Sequence, residues 1–242
     1  MLFLDWVFSD SPVVVDKIVC LSDSPDPSAL IAPAERCGKI GVMTGELFPE
    51  ANLLPHDGEA VNRGVIFEAH EGDKIFEELM VEIPWAPDVI RMFGKTITTA
   101  RKVAWMGDAG LDYTYSGKTK TPLPWTPLVL QLKGRVEQET GESFNSCLLN
   151  LYHHGEEGMS WHQDNESSIV PDSTIACLSF GAARPFHFKH LETRERITTV
   201  LEPGSLLTMS GPIQRFWQHA LPKTKKVDDP RVSLTFRQMK TG

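Results

Sequence analysis

The sequence is short of several things, and each shortage excludes a class of protein. No apolar run in its 242 residues approaches the ~20 residues that a membrane-spanning helix needs. The first twenty residues lean apolar but carry Asp5, Asp10 and Asp16 and no basic start, the wrong pattern for a secretory leader. Cysteine is scarce: Cys20, Cys37, Cys147 and Cys177 are scattered, with no CxxC pair. That spacing argues against a disulfide framework and against a thiolate zinc site. Cys147 and Cys177 fall in strand-like runs and are expected as buried thiols. No internal repeat is detectable. What remains is the composition of an ordinary globular protein, expected to be one large domain with or without an appendage. It is expected to be monomeric, without a membrane partner, and cytoplasmic in a bacterium or nuclear in a eukaryote.

Acids outnumber bases, for a net charge of −8, which argues mildly against a nucleic-acid partner. The charge is uneven. Residues 1–46 hold seven acids and three bases. By contrast, "RMFGKTITTARK" (91–102) contains no acid and four bases. "KTK" (118–120) and "PKTKK" (222–226) are further basic clusters. Such patches are either solvated hairpin edges or a local surface for phosphates.

Residues 1–60 show no sustained period and read as loop or weakly ordered chain. In "DKIFEELMVEI" (73–83) the apolar positions Ile75, Phe76, Leu79, Met80 and Ile83 have helical spacing. Asp73 is the expected cap and Pro84 the stop. "TPLVLQLKGRVEQET" (126–140) predicts a second helix, with Thr126 at the N-cap, Pro127 in the first turn and Gly141 at the end. From residue 144 the period becomes two. "FNSCLLNLYHH" puts Cys147, Leu149 and Leu151 on one face and Leu148, Asn150 and Tyr152 on the other. "TIACLSFG", "PFHFKHL", "RITTVLEPGSLLTMSG" and "RVSLTFRQM" are also strand-like. Two helices followed by many short strands predict an antiparallel β sandwich or jelly roll backed by helices.

Within that pattern lies "WHQDNE" (161–166). On an extended chain His162 and Asp164 point the same way. Such a pair occurs by chance, so a third group has to be found. His153 and His154 precede a glycine and are expected at a turn. His187 and His190 are expected on a solvated strand face. His219, in "RFWQHALPK", is the remaining candidate. Two imidazoles and one carboxylate leave coordination positions open and suit Fe(II) that activates O2. A zinc hydrolase could use the same three.

The last strand separates the two readings. In "RVSLTFR" (231–237), Val232, Leu234 and Phe236 take one face, and Arg231, Ser233, Thr235 and Arg237 the other. Two arginines among small hydroxyl residues make a cradle for a dianion, because the planar guanidinium binds carboxylates in fork geometry. The alternative is an exposed edge strand with solvated arginines. Asn150 and Tyr152 share one strand face and can add hydrogen bonds. The dianion that accompanies a two-His-one-Asp iron is 2-oxoglutarate. A hydrolase leaves the cradle without a purpose.

"NLYHHGEEGMSWHQDNE", "ACLSFGAARPFHFKH", "GSLLTMSGPIQRFWQHALPK" and "PRVSLTFR" together resemble the AlkB family of Fe(II)- and 2-oxoglutarate-dependent dioxygenases, in order, from about residue 46 to 239. The resemblance implies an α+β, mainly β fold: a double-stranded β-helix (jelly roll) backed by helices, with a nucleotide-recognition lid. It implies that His162, Asp164 and His219 hold iron and are catalytic. It assigns Asn150, Tyr152, Arg231 and Arg237 to 2-oxoglutarate, with O2 as the second co-substrate. "RKVAWMGDAGLDYTYSG" (101–117) is similar to the family's lid, so Tyr113, Tyr115 and Ser116 are expected against a flipped base. Glu166 matches the acid that contacts the base's exocyclic amine. "MFGK" (92–95) is similar to the finger hairpin of the duplex-acting human homologue, where Phe93 would fill the gap in the stack.

The activity this implies is oxidative demethylation of 1-methyladenine and 3-methylcytosine in DNA, duplex favoured, with release of formaldehyde, succinate and CO2. RNA as the polymer, or an oxygenase acting on protein or lipid, are the alternatives. A non-catalytic lesion-binding module fits poorly with an intact ligand set. Residues 1–45 match nothing in the family and read as an N-terminal extension; 46–242 read as the dioxygenase domain.

Overall fold

The computed structural model describes residues 51–241 except Phe93, Gly94, Asp112, Ser116 and Gly117; at 89–92, 95–97, 113–115 and 118–120 it describes the backbone alone. The expected extension at 1–45 and the substrate candidates Phe93 and Ser116 lie outside the described residues.

Strand β1 (Glu59–Val65) precedes helix α1 (Ala69–Glu82). Strands β2 (Ala86–Met92), β3 (Lys95–Gly107), β4 (Tyr113–Tyr115) and β5 (Lys118–Lys120) lie between α1 and α2 (Pro127–Thr140). Then come β6 (Ser146–Tyr152), β7 (Met159–His162), β8 (Ile175–Gly181), β9 (Arg184–His190), β10 (Arg196–Leu201) and β11 (Ser205–Ser210). A short α3 (Ile213–Phe216), β12 (Trp217–Leu221) and β13 (Arg231–Arg237) complete the order. A seven-stranded sheet runs β1-β11-β8-β13-β6-β3-β2, and a four-stranded sheet runs β10-β9-β12-β7. From β6 onward the chain steps back and forth between the two sheets, which is the double-stranded β-helix expected. Strands β1 to β5 were not part of the helices-then-strands order; they extend the larger sheet and form a separate hairpin.

The period-two pattern decides how the layers pack. Cys147, Leu149 and Leu151 of β6 and Val232, Leu234 and Phe236 of β13 face outward, against Ile75 and Leu79 of α1 and Leu128, Val129, Leu132 and Val136 of α2. The opposite faces meet the smaller sheet in a second cluster, with Cys177, Phe186, Phe188, Leu207 and Trp217. The helices therefore shield one face of the large sheet, and the other is free to line a site.

Helix α2 begins and ends where its caps require. The Thr126 hydroxyl accepts from the Val129 N–H at 3.2 Å, and Gly141 closes the helix with φ 72°. Helix α1 begins at Ala69, four residues before the expected Asp73 cap, and Glu68 caps it with no side-chain bond. The extra turn carries Gly72, which is buried and would bring a Cβ to 3.9 Å from Phe180 of β8. Packing against the sheet outweighs the glycine's weak helix propensity. Gly181, at φ 78°, ends β8 where a Cβ would collide with the Pro230 carbonyl. The chain can turn into β9 there only without a side chain.

Strands β2 and β3, on either side of Phe93 and Gly94 in the sequence, pair antiparallel up to Met92 and Lys95. The segment likened to the lid, residues 101–117, runs through two elements. Residues 101–107 belong to β3, paired with β6 in the large sheet, and the separate hairpin is β4 with β5.

Candidate active site

A pocket of about 400 Å³ opens between the two sheets; its wall includes His162, Asp164, His219, Asn150, Tyr152, Arg231 and Arg237. Every metal and 2-oxoglutarate candidate read from the sequence lines it.

His162 ends β7, and a bulge aims it. Two steps along β12, His219 to Leu221, match three along β7, His162 to Met159. The extra residue lets both Met159 and His162 face the pocket although they are three apart. Asp164 lies just past the strand. Its turn is gripped by α3: Gln163 Nε2 donates to the Gln214 carbonyl at 2.7 Å, and the Asp164 N–H donates to Gln214 Oε1 at 2.8 Å. His219, opposite His162 in the ladder, is buried and stacked on Phe186. One ligand atom from each of the three lies within 4.8 Å of the others.

Neighbours prepare each group for a cation. His162 Nδ1 lies 2.8 Å from the Ser160 carbonyl, so this nitrogen carries the hydrogen. That leaves the Nε2 lone pair facing Asp164 Oδ1 at 3.8 Å. Asp164 Oδ2 accepts from Arg237 Nη2 at 2.7 Å and Nε at 3.1 Å, so Oδ1 is left for a metal. Burial would raise the Asp164 carboxyl, but Arg237 and the two imidazoles outweigh it and hold it at about 2. Burial lowers His219 to about 3, helped by His162 and against the pull of Asp164. Two imidazoles and one carboxylate on one side of a pocket fit Fe(II) with open positions.

Arg231 and Arg237 turn out unlike. Strand β13 runs between β6 and β8 in the middle of the large sheet, which overturns the exposed-edge alternative. Arg237 is ion-paired with Asp164. Arg231, 2% exposed, donates to Ser179 Oγ at 2.9 Å and lies over the Tyr152 ring. Among the described residues it has no carboxylate partner, and its Nε has no acceptor. Asn150, across the ladder from Ser233, holds an unpartnered buried Oδ1. Burial pushes the Tyr152 phenol up, against Arg231, Arg101 and Arg184, so it stays a proton donor at neutral pH. A buried cation and unmatched polar atoms beside the triad fit an acidic co-substrate. A zinc hydrolase would have no use for them.

Glu166 is exposed on the pocket rim. Tyr113 and Tyr115 stand two apart on β4, hence on one face of it. His190 corrects the expectation of a solvated histidine. Three residues from His187, it points inward, is 2% exposed, and donates from Nε2 to Asp57 while its Nδ1 accepts from the Thr193 N–H. His153 and His154 do lie at a turn. Several residues in or beside the pocket were not legible beforehand. Gln214 orients Asp164 from α3, and Asp88 pairs with Arg101 on the wall. Met239 lines the rim. Only the inward parity of Arg101 on a strand opposite β6 signalled any of these.

The jelly roll and its site define an Fe(II)- and 2-oxoglutarate-dependent dioxygenase, with O2 as co-substrate. The sequence profile of the 2OG-Fe(II) oxygenase superfamily matches residues 62–237. The chain is 39% identical over 227 residues to the DNA oxidative demethylase ALKBH2 of Mus musculus, covering 89% of this chain and 95% of the relative. The Homo sapiens ALKBH2 is 41% identical, covering 72% of this chain and 71% of the relative. The Homo sapiens alpha-ketoglutarate-dependent dioxygenase alkB homolog 3 is 39% identical over 70% of this chain and 62% of its own length. The solved structure of OsALKBH1 shares the fold, with a TM-score of 0.50 and 16% identity over 74% of this chain and 97% of that one. The chain belongs to the AlkB family of dioxygenases.

Proposed function

We propose that the protein is an oxidative demethylase of N-alkylated bases, 1-methyladenine and 3-methylcytosine, in DNA, with duplex DNA favoured. The observation that carries this reading is the pocket. It ends on His162, Asp164 and His219 and opens past an acid, Glu166, in a chain whose relatives are named DNA oxidative demethylases. Its volume suits one extruded base.

When bound, the iron with 2-oxoglutarate and O2 supplies the oxidation that hydroxylates the N-methyl carbon, with formaldehyde, succinate and CO2 as products. The chain's own groups do the rest. His162, Asp164 and His219 hold the metal. Arg231, Tyr152 and Asn150 hold the co-substrate, and Arg237 keeps Asp164 anionic and oriented. Glu166 accepts from the exocyclic amine of the base. Tyr113, Tyr115 and Ser116 grip the base from the lid side. Phe93, between β2 and β3 in the sequence, fills the stack the base has left. Intercalation recovers part of an unstacking cost of a few kcal/mol.

The test supplies matched single- and double-stranded oligonucleotides bearing one 1-methyladenine to the Fe(II)-loaded enzyme, with repaired base read by mass spectrometry and His162→Ala as control. Repair of both, duplex at least as fast, is expected. Phe93→Ala should then slow the duplex and spare the single strand. Repair of single strands alone would discard the duplex preference. Consumption of 2-oxoglutarate without repair would overturn the substrate.

A further inference from the structure

Arg184 is a second buried guanidinium with no counter-ion among the described residues. It opens β9 on the inward face, in line with Phe186 of the pocket wall and Phe188 of the inner core. It is 1% exposed. Its Nη2 donates to three carbonyls, Gly155 at 3.1 Å, Glu157 at 3.0 Å and Pro222 at 2.7 Å. Its Nε and Nη1 have no acceptor among the described residues. Three of its five N–H groups are therefore unmatched. Glu157, in the same loop, directs its carboxylate to His153 instead.

The fold places this cation at the Arg231 end of the site. Arg231 faces Gly181 in the ladder, and the Ala182 N–H donates to the Pro230 carbonyl at 2.9 Å. Arg184 follows two residues later. The carbonyls it clasps belong to the loops that continue β6 from Tyr152 and β12 from His219. Burial lowers the guanidinium's affinity for its proton, Arg231 lowers it further, and Tyr152 opposes them. A carbonyl clasp alone needs hydrogen-bond donors but no net charge. Two adjacent buried cations without an acid among the described residues need an anion from outside.

We propose that Arg184 is a positioning residue of the co-substrate site, whose charge, beside Arg231 and behind Tyr152, selects a 2-oxo acid with a distal carboxylate over one without. This rests on the assignment of Arg231 and Tyr152 to 2-oxoglutarate. Arg184 is not in the pocket wall, so it acts through those two.

The test is calorimetric titration of the Mn(II)-loaded protein without oxygen, using 2-oxoglutarate and the monocarboxylate 2-oxobutanoate. Arg184→Gln should weaken 2-oxoglutarate by about tenfold, as loss of a partly screened charge predicts, and leave 2-oxobutanoate within about twofold. Arg184→Lys, which keeps the charge, should preserve the discrimination. In turnover, Arg184→Gln should raise the KM for 2-oxoglutarate and leave kcat. If Gln and Lys variants lose both ligands equally, Arg184 is only a clasp and the proposal fails. Arg231→Met separates the two readings. If it alone abolishes discrimination, the Arg184 role falls and the co-substrate assignment stands. If neither variant does, both fall.

Discussion

At the scale of single residues, the site is held by one buried ion pair. Arg237 fixes one Asp164 oxygen so that the other faces the imidazoles. Removing one member of such a pair leaves a buried charge uncompensated. Arg237→Met should lower the stability of the metal-free protein by about 3 kcal/mol, read as a urea midpoint. It should weaken metal binding as well, because Asp164 loses its orientation. Acid should act in two steps. The His219 imidazole, ordinarily near 6.5, is held at about 3 in the fold. Below pH 6.5 the unfolded chain takes up a proton that the folded site refuses, so stability falls as pH drops from 6.5 toward 3. Asp164, at about 2 instead of 3.8, adds a stabilisation that is lost between those two values. The difference in urea midpoint between wild type and His219→Gln should shrink across the upper window. A difference independent of pH would refute the buried neutral imidazole.

At the scale of elements, the sequence was most readable where one strand or helix obeys its own local chemistry. Thr126, Pro127 and Gly141 bound α2 as their cap preferences require. Alternation along β6 and β13 placed Asn150, Tyr152, Arg231 and Arg237 correctly because a strand between two packed layers has no other way to sort its side chains. Thr126→Ala should cost about 1 kcal/mol. Activity should be unchanged well below the melting point, since α2 touches the sheet on the face away from the pocket. Readings failed where a neighbouring element intervened. Helix α1 gained a turn by packing Gly72 under β8. His190 was pulled inward by strand parity and a partner in the loop before β1.

At the scale of the whole molecule, all the proposed metal and co-substrate residues lie within the described residues 51–241. Residues 1–42 precede Met43, where the family-like stretch "MTGELFPEANLLPHDGEA" begins, and their removal should leave folding and turnover intact. Loss of either, measured by circular dichroism and 2-oxoglutarate consumption, would show that the segment belongs to the enzyme.

Several determinants are local, and the sequence alone was enough for them. The HxD pair, the distant histidine, the two arginines and the alternation of β6 and β13 are properties of residue type and spacing. So the candidate ligand set and the fold class follow from them. Pairing between distant strands is not local, and the tertiary structure decided what depends on it. It made Arg237 the partner of Asp164 and left Arg231 without a carboxylate partner among the described residues. Through the β7 bulge it turned both Met159 and His162 inward, and through α3 it brought Gln214 under the Asp164 turn. It also buried Arg184 beside Arg231's strand. Which charges end up matched depends on which strands are neighbours, and burial makes an unmatched charge costly enough to call for a ligand.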